Sequence, residues 1–361
     1  MEPNKETVRI TSQIHFPTHL ISESTITPTE IGEILAQNYT QISADSNYDP
    51  AFIPHKQHAE DTPIDFSSPL NTTEPQYYND KIQESEVRYS IGKCSKTTAP
   101  GDDQIINTML QKLHPNAITF FTKLVNRIFQ SSTYPSSWKC ATIVPLLKPL
   151  KDPNQPQSYR PISLLSSLSK ILERILNRRL SWYLEANNLL NQSQYGFRKG
   201  RSSTMALAEL DAHIHLANSN NANLYSVFLD LENAFPRVWR HHILATIHKI
   251  GLRGLLPQLL QNYLKDRNFR VRVAGHLSSV HIQENGIPQG SPLSGSFFMI
   301  AINHVFNAIQ IPAKPILFAD DLSIHVQSSC VKHAHKTLQN TLTSSLGYQN
   351  TASNYHLPNL R

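Results

Sequence analysis

Ile316-Leu317-Phe318-Ala319-Asp320-Asp321-Leu322-Ser323-Ile324 sets two adjacent carboxylates between two apolar runs. The pattern predicts a tight β-hairpin with both aspartates at its tip. Side by side, two ionised carboxylates repel, and each loses hydration when pressed into a cleft. Such a tip makes physical sense where divalent cations neutralise it. A solvated acidic turn is the plain alternative, because aspartate is common in turns. What lies upstream decides between the two.

Leu224-Tyr225-Ser226-Val227-Phe228-Leu229-Asp230-Leu231 is a β-branched and aromatic run that ends on a single acid. In a strand, Phe228, Asp230 and Glu232 share one face and Val227, Leu229 and Leu231 the other, so a buried strand would deliver Asp230 to its end. Laid beside the hairpin, it would gather three carboxylates, enough to bridge two Mg²⁺ ions roughly 4 Å apart, as in enzymes that displace at phosphorus. Hard oxygen ligands suit Mg²⁺ and not zinc. Between these elements lies Asn285-Gly286-Ile287-Pro288-Gln289-Gly290-Ser291-Pro292-Leu293-Ser294. Its glycines let backbone approach a flat or charged ligand, Pro288 stiffens the turn, and Gln289 both donates and accepts, which suits the wall of a nucleotide pocket. An ordinary loop with a helix start at Ser291-Pro292 is the simpler reading of that stretch alone.

Taken together, Asp230-x-x-x-Ala234-Phe235, then Gly286 to Ser294, then Phe318-Ala319-Asp320-Asp321 resemble, in order and spacing, the palm motifs of reverse transcriptases. The phenylalanine-alanine form of the last motif is similar to that of LINE-type (non-LTR) retrotransposon enzymes of the jockey-like kind. Upstream, Trp138-Lys139-x-Ala141-x-Ile143-Val144-Pro145-Leu146-x-Lys148-Pro149, Lys151-Asp152-Pro153, Ser158-Tyr159-Arg160-Pro161-Ile162-Ser163-Leu164-Leu165 and Gln194-Tyr195-Gly196-Phe197-Arg198-Lys199-Gly200-Arg201-Ser202 resemble the fingers blocks of the same family. Ala99-Pro100-Gly101-Asp102-Asp103 is similar to the segment that precedes them. The likeness runs over residues 85 to 330.

The resemblance implies an RNA-directed DNA polymerase that adds dNTPs to a DNA primer on an RNA template. Asp230, Asp320 and Asp321 match the carboxylates that, with the Leu231 carbonyl, hold two Mg²⁺ ions, Mn²⁺ being an alternative; Asp321 is the less direct ligand. Lys148 and Arg160 match basic residues that contact the incoming triphosphate, a role suited to a forked guanidinium. Phe235 matches the aromatic that excludes a 2′-hydroxyl, and Gln289 with Gly290 the wall beside the incoming sugar and base. Arg198, Lys199 and Arg201 are the candidates for template contact. Two residues depart from the family pattern. Pro236 stands where aspartate is usual and should push Phe235 away from helical torsions. Gly295 stands where proline is usual and should loosen the helix start that follows. A relic that only binds nucleic acid and a metal-dependent nuclease are the competing readings, since two Mg²⁺ ions also serve hydrolysis.

Charge is spread unevenly over the 361 residues. Residues 1 to 100 carry 7 Lys and Arg against 14 Asp and Glu, and the remainder carries 26 against 13. The basic excess thus accompanies the motifs, as a polyanionic template would require. In the predicted helix from Leu168 to Leu180, Leu168, Ile171, Leu172, Ile175 and Leu176 form a core stripe. Cys94, Cys140 and Cys330 lack the spacing of a disulfide framework or zinc site, so an intracellular protein, nuclear or cytoplasmic, is expected. His241, His242, His248, His333 and His335 are read as surface residues. No run is long and apolar enough to cross a bilayer.

The expected fold is α+β, a right-hand polymerase with fingers and palm, its antiparallel palm sheet flanked by helices and its thumb largely missing. Residues 1 to 80, rich in Ser, Thr, Pro, Asn and acids, read as a partly disordered connector with one helix around Thr29 to Gln37, capped by Thr29 or its neighbour. Residues 84 to 190 are assigned to fingers, 191 to 327 to palm, and 328 to 361 to a poorly matching tail, the match stopping after Val326. The chain therefore reads as a truncated copy without the endonuclease and thumb segments of a full-length element. Poor grip on the primer and weak processive synthesis would follow.

Overall fold

The structure, a computed structural model, describes residues 27–67 and 76–350, with side chains through Thr343. It is α+β, with two separate sheets among helices. The larger sheet joins β1 (Cys140–Leu147), β2 (Tyr159–Leu164), β4 (Asn268–Val273), β5 (His276–Leu277) and β6 (His281–Ile282); β3 (Asn223–Leu229), β7 (Lys314–Phe318) and β8 (Asp321–Ser328) form the other. β1 pairs antiparallel with β2 and parallel with β4. β4 lies beyond the expected fingers boundary at residue 190, yet it belongs to the sheet of β1 and β2. A sequence boundary cannot anticipate that exchange, because the parallel pairing joins segments more than a hundred residues apart.

The described part of the expected connector holds the helix anticipated there. Thr27 caps the helix Pro28–Ser43 through a capping box with Glu30, two residues earlier than the expected cap, and Pro28 takes the first helical turn. Ile31, Leu35, Tyr39 and Ile42 recur at helical spacing. Leu35, Ala36 and Tyr39 pack on Phe269, Val271 and Val273 of β4 and on Ala141 and Ile143 of β1, forming a small core under one face of the larger sheet. Residues 1–26, 68–75 and 351–361 of the expected connector and tail lie outside the described residues.

The main core is continuous from Phe66 to Leu338. At its centre the helix Ser167–Ala186 buries Ile171, Leu172, Ile175 and Leu176, as its apolar spacing predicts. Its cations are structural: Arg179 pairs with Glu86 at 2.8 Å and Arg174 donates to the Cys94 sulfur at 3.0 Å. The helix Val331–Asn350 continues the fold past Val326, burying Ala334, Leu338 and Thr341. His242 is another correction, being buried rather than on the surface, with its ring 5.1 Å from that of His304. Among the described residues no helix is long and apolar enough to cross a membrane.

Candidate active site

β3 runs antiparallel to β8 with Leu229 opposite Leu322, so Asp230 follows at the end of the sheet beside Asp321. β7 flanks β8 on its other side, Phe318 opposite Asp321. The expected hairpin is present with one refinement: Ala319 and Asp320 make the two-residue turn, whereas Asp321 already opens β8. Ala319 takes a left-handed φ of 57°. Gly196 lies against it so closely that a Cβ there would sit 2.3 Å from the Ala319 nitrogen, and the Tyr195 amide donates to the Leu317 carbonyl at 2.8 Å. The turn is thus clamped from outside by the segment 193–196.

Leu322, Ile324 and Val326 of β8 point into the main core, each worth roughly 1.5–3 kcal/mol of burial. The opposite face carries Asp321, Ser323 and His325, where the His325 ring nitrogens lie 2.7 Å from the Ser226 hydroxyl and 2.9 Å from that of Ser323. β3 is less buried than expected, since Phe228, on the face of Asp230, is 70% exposed.

Burial raises the Asp320 carboxyl above its ordinary range, and the negative charges of Asp321 and Asp230 raise it further, partly offset by a backbone N–H. All three acids therefore share one field. Among the described residues no three acidic, histidine or cysteine side chains are gathered into a ready coordination shell. The two observations agree if the carboxylates are near enough to repel but aimed apart. The donor set is all carboxylate oxygen, which suits a hard divalent cation. Leu231 is anchored by its buried side chain directly after Asp230.

Phe235 stacks on Phe298, centroids 4.9 Å apart and planes within 10°, and meets Phe197 edge-on at 6.1 Å. It opens a 3-10 turn, Phe235–Arg237, so Pro236 does not expel it from helical geometry. The Gly295 departure also has a reason. The helix starts firmly at Ser294, and a Cβ at Gly295 would press to 2.9 Å from the Phe197 ring. The loop from Gly286 to Gly290 bridges this aromatic row to the larger sheet. The Ile287 amide donates to the Phe235 carbonyl at 3.0 Å, and the Ser163 amide to the Gln289 carbonyl at 2.8 Å. Gly290, at φ 131°, leaves no room for a Cβ beside the Ser163 carbonyl. Turn, Phe197, Phe235, loop and β2 therefore form one contiguous arc.

Arg160 is exposed on β2, and the Lys148 ammonium donates to the Gln157 carbonyl at 3.1 Å. The expected template trio separates. Arg198 is 9% exposed and committed to a two-pronged ion pair with Glu185, at 2.6 and 2.8 Å, and to the Asn191 carbonyl. Its guanidinium is thus largely spent on partners inside the protein. Arg201 bonds Gln192 and lies over the Tyr195 ring. Lys199 alone of the three falls among the exposed residues.

Motif spacing did not reveal the supports behind the loop. Glu173 is fully buried in the central helix and accepts from the hydroxyls of Ser169, Tyr134 at 3.0 Å and Ser291 at 2.5 Å, while Tyr263 donates to Ser291 at 2.8 Å. Arg240 donates to the carbonyls of Gly286 and Asn285 at 2.7 and 3.2 Å. A charged residue on the apolar side of a helix was the one available signal for Glu173.

The sheet thus presents acids from two strands, with a glycine-bounded loop nearby. The family described as reverse transcriptase (RNA-dependent DNA polymerase) matches residues 149–352, past the point where the motifs end. In Drosophila melanogaster, the probable RNA-directed DNA polymerase from transposon BS is 32% identical over 290 residues, covering 79% of this chain and 31% of that protein. The corresponding protein from transposon X-element is 33% identical over 70% of this chain and 28% of its own length. The RNA-directed DNA polymerase from mobile element jockey is 28% identical over 92% of this chain and 36% of its own. The chain belongs to the reverse transcriptase family, in its LINE-type (non-LTR) group. It spans about a third of the length of these curated relatives.

Proposed function

We propose that this chain carries the RNA-directed DNA polymerase activity of a non-LTR element, adding dNTPs to a DNA primer on an RNA template. The observation that carries the reading is the β3–β8 pairing, which sets Asp230 beside the Asp320–Asp321 turn. On this reading the three-stranded sheet with its helices is the palm, and the larger sheet with residues 84–190 contributes the fingers. Asp230 and Asp320, then Asp321 and the Leu231 carbonyl, would hold two Mg²⁺ ions, or Mn²⁺. Bound there, the ions lower the pKa of the primer 3′-hydroxyl and neutralise charge on the leaving group. In the step itself the 3′-oxygen bonds the α-phosphorus, the bond from that phosphorus to the bridging oxygen breaks, the hydroxyl proton leaves to solvent and pyrophosphate departs.

The protein residues position these parts. Lys148 and Arg160 take the triphosphate. Phe235, braced between Phe197 and Phe298, sits under the sugar and leaves no space for a 2′-hydroxyl. Gln289 and Gly290 wall the sugar and base, and Lys199 touches the template. RNA-templated primer extension by the wild type and by Asp320→Asn tests the reading. The substitution should cut extension by roughly a hundredfold or more, as loss of a transition-state stabilising group does. Template binding without extension would indicate a binding relic, and cleavage in the absence of dNTPs a nuclease.

A further inference from the structure

The chain that follows the helix Pro28–Ser43 makes a 3-10 turn, Asp45–Asn47, and a short helix, Ile53–Asp61. In that helix Lys56 is 3% exposed, a depth at which an ammonium is held only by anionic partners. It has two. Asp45 lies 2.9 Å away on the 3-10 turn, and Glu60 2.8 Å away, one helical turn further on.

Each carboxylate accepts a second bond, and these lead to different parts of the candidate site. The Asn285 side-chain amide donates to Asp45 at 2.7 Å and to the Ser43 carbonyl at 2.9 Å. Asn285 is buried, and it opens the loop that reaches Gln289 and Gly290. The Trp239 indole donates to Glu60 at 2.7 Å and the Tyr48 hydroxyl to the Arg237 carbonyl at 2.9 Å, so the same segment also holds the stretch that begins at Phe235. Loop and stretch meet directly as well. The Gly286 amide donates to the Val238 carbonyl at 2.8 Å, and a Cβ at Gly286 would lie 2.4 Å from the Pro236 carbonyl oxygen. Contacts this tight leave no slack, and a shift of either carboxylate is passed on to both parts.

We infer that Lys56 is a positioning residue of the nucleotide pocket, holding the Gln289 loop through Asp45 and the Phe235 turn through Glu60 in the register that selects a dNTP. The inference rests on the polymerase reading of the site and adds a cation that acts on selection without touching nucleotide or metal. The physical reason is charge. One ammonium between two carboxylates draws them together; without it they repel across a partly buried gap, and each carries away the amide or indole bonded to it.

Primer extension by the full chain tests it, read as the KM for a single dNTP and the ratio of dNTP to NTP incorporation. Lys56→Met should raise the KM and lower the ratio, each about tenfold, because a displacement of about an ångström near reacting groups costs up to a hundredfold. A partly unfolded preparation holds less active enzyme and lowers only the apparent kcat, so a purely structural Lys56 would leave both readouts at wild-type values and overturn the inference. Lys56→Arg should restore both. Asp45→Asn/Glu60→Gln in the Lys56→Met background should restore them in part, since the repulsion is gone and both side chains still accept from Asn285 and Trp239. A further rise in KM would overturn the inference. If Lys56→Met melts too early to assay, Glu60→Ala, at a 38% exposed position, cuts only the Trp239 branch and should lower the ratio by half as much on a logarithmic scale, about threefold. Hydrogen exchange reads the same contacts without catalysis: Lys56→Met should speed exchange in 235–240 and 284–290 and leave the helix Pro115–Ser131 at its wild-type rate. A wild type that extends no primer would sink the polymerase reading alone, and unaltered exchange in both stretches would sink this one.

Discussion

The surroundings of Asp320 disfavour its ionised form. Burial, Asp321 and Asp230 all raise its carboxyl, so the folded chain takes up a proton there at a higher pH than the unfolded chain. The sign follows from linkage: stability at this residue is lost as pH rises from the unfolded value through the raised folded one, and the ionised form at neutral pH opposes folding. Asp320→Asn should therefore raise the melting temperature at pH 7.5 and leave it nearly unchanged at pH 4, while extension is lost. A lower melting temperature at pH 7.5 in differential scanning fluorimetry would contradict this account. Glu173 is a buried carboxyl surrounded by hydroxyl donors. Its replacement by alanine should cost about 3 kcal/mol in urea unfolding, because three buried hydroxyls lose an acceptor, and Glu173→Gln should cost less.

Alternating apolar residues in β3, β7 and β8 were legible from spacing, and so were the turn and the stripe of the central helix. Their neighbours were not. The clamp of segment 193–196 on the Ala319–Asp320 turn depends on Gly196, which looks like a flexible joint in the sequence but is a point of close contact. Gly196→Ala should push the turn aside by the better part of an ångström. A misplacement of that order costs about a hundredfold in rate, and the effect on stability should be small by comparison. Primer extension and thermal melting on the same preparation check it; a variant that melts early with an undiminished initial rate would refute the clamp. The first part of the helix Val331–Asn350 is readable as a helix from Ser328 to Leu338, but its continuation is not, because Thr341 to Gln349 shows little apolar periodicity; Ala334, Leu338 and Thr341 find the core.

Acid tests the whole fold through its interior histidines. Burial lowers His242 to about 3 and His304 to about 4, against roughly 6.5 in an unfolded chain. The unfolded state binds the extra protons between those values, so the stability present above pH 6.5 is lost as pH falls. The slope should approach about 1.4 kcal/mol per pH unit per site. Urea midpoints that stay level from pH 6.5 to 5 would show that these rings are not held neutral.

Residue type and short-range order were enough to announce the carboxylates, the glycine-bounded loop, the aromatic at Phe235 and the family, because alternation in a strand and the chemistry of a side chain depend on near neighbours. Three further facts waited for the folded chain: which strand lies beside which, which cations are free, and which polar groups support the site. Asp230 meets Asp321 through a ladder closing about ninety residues, β4 crosses to the sheet of β1, and Arg198 is spent on Glu185. Each of these depends on contacts between distant segments, and the spacing of residues along a chain carries no record of who will sit opposite whom.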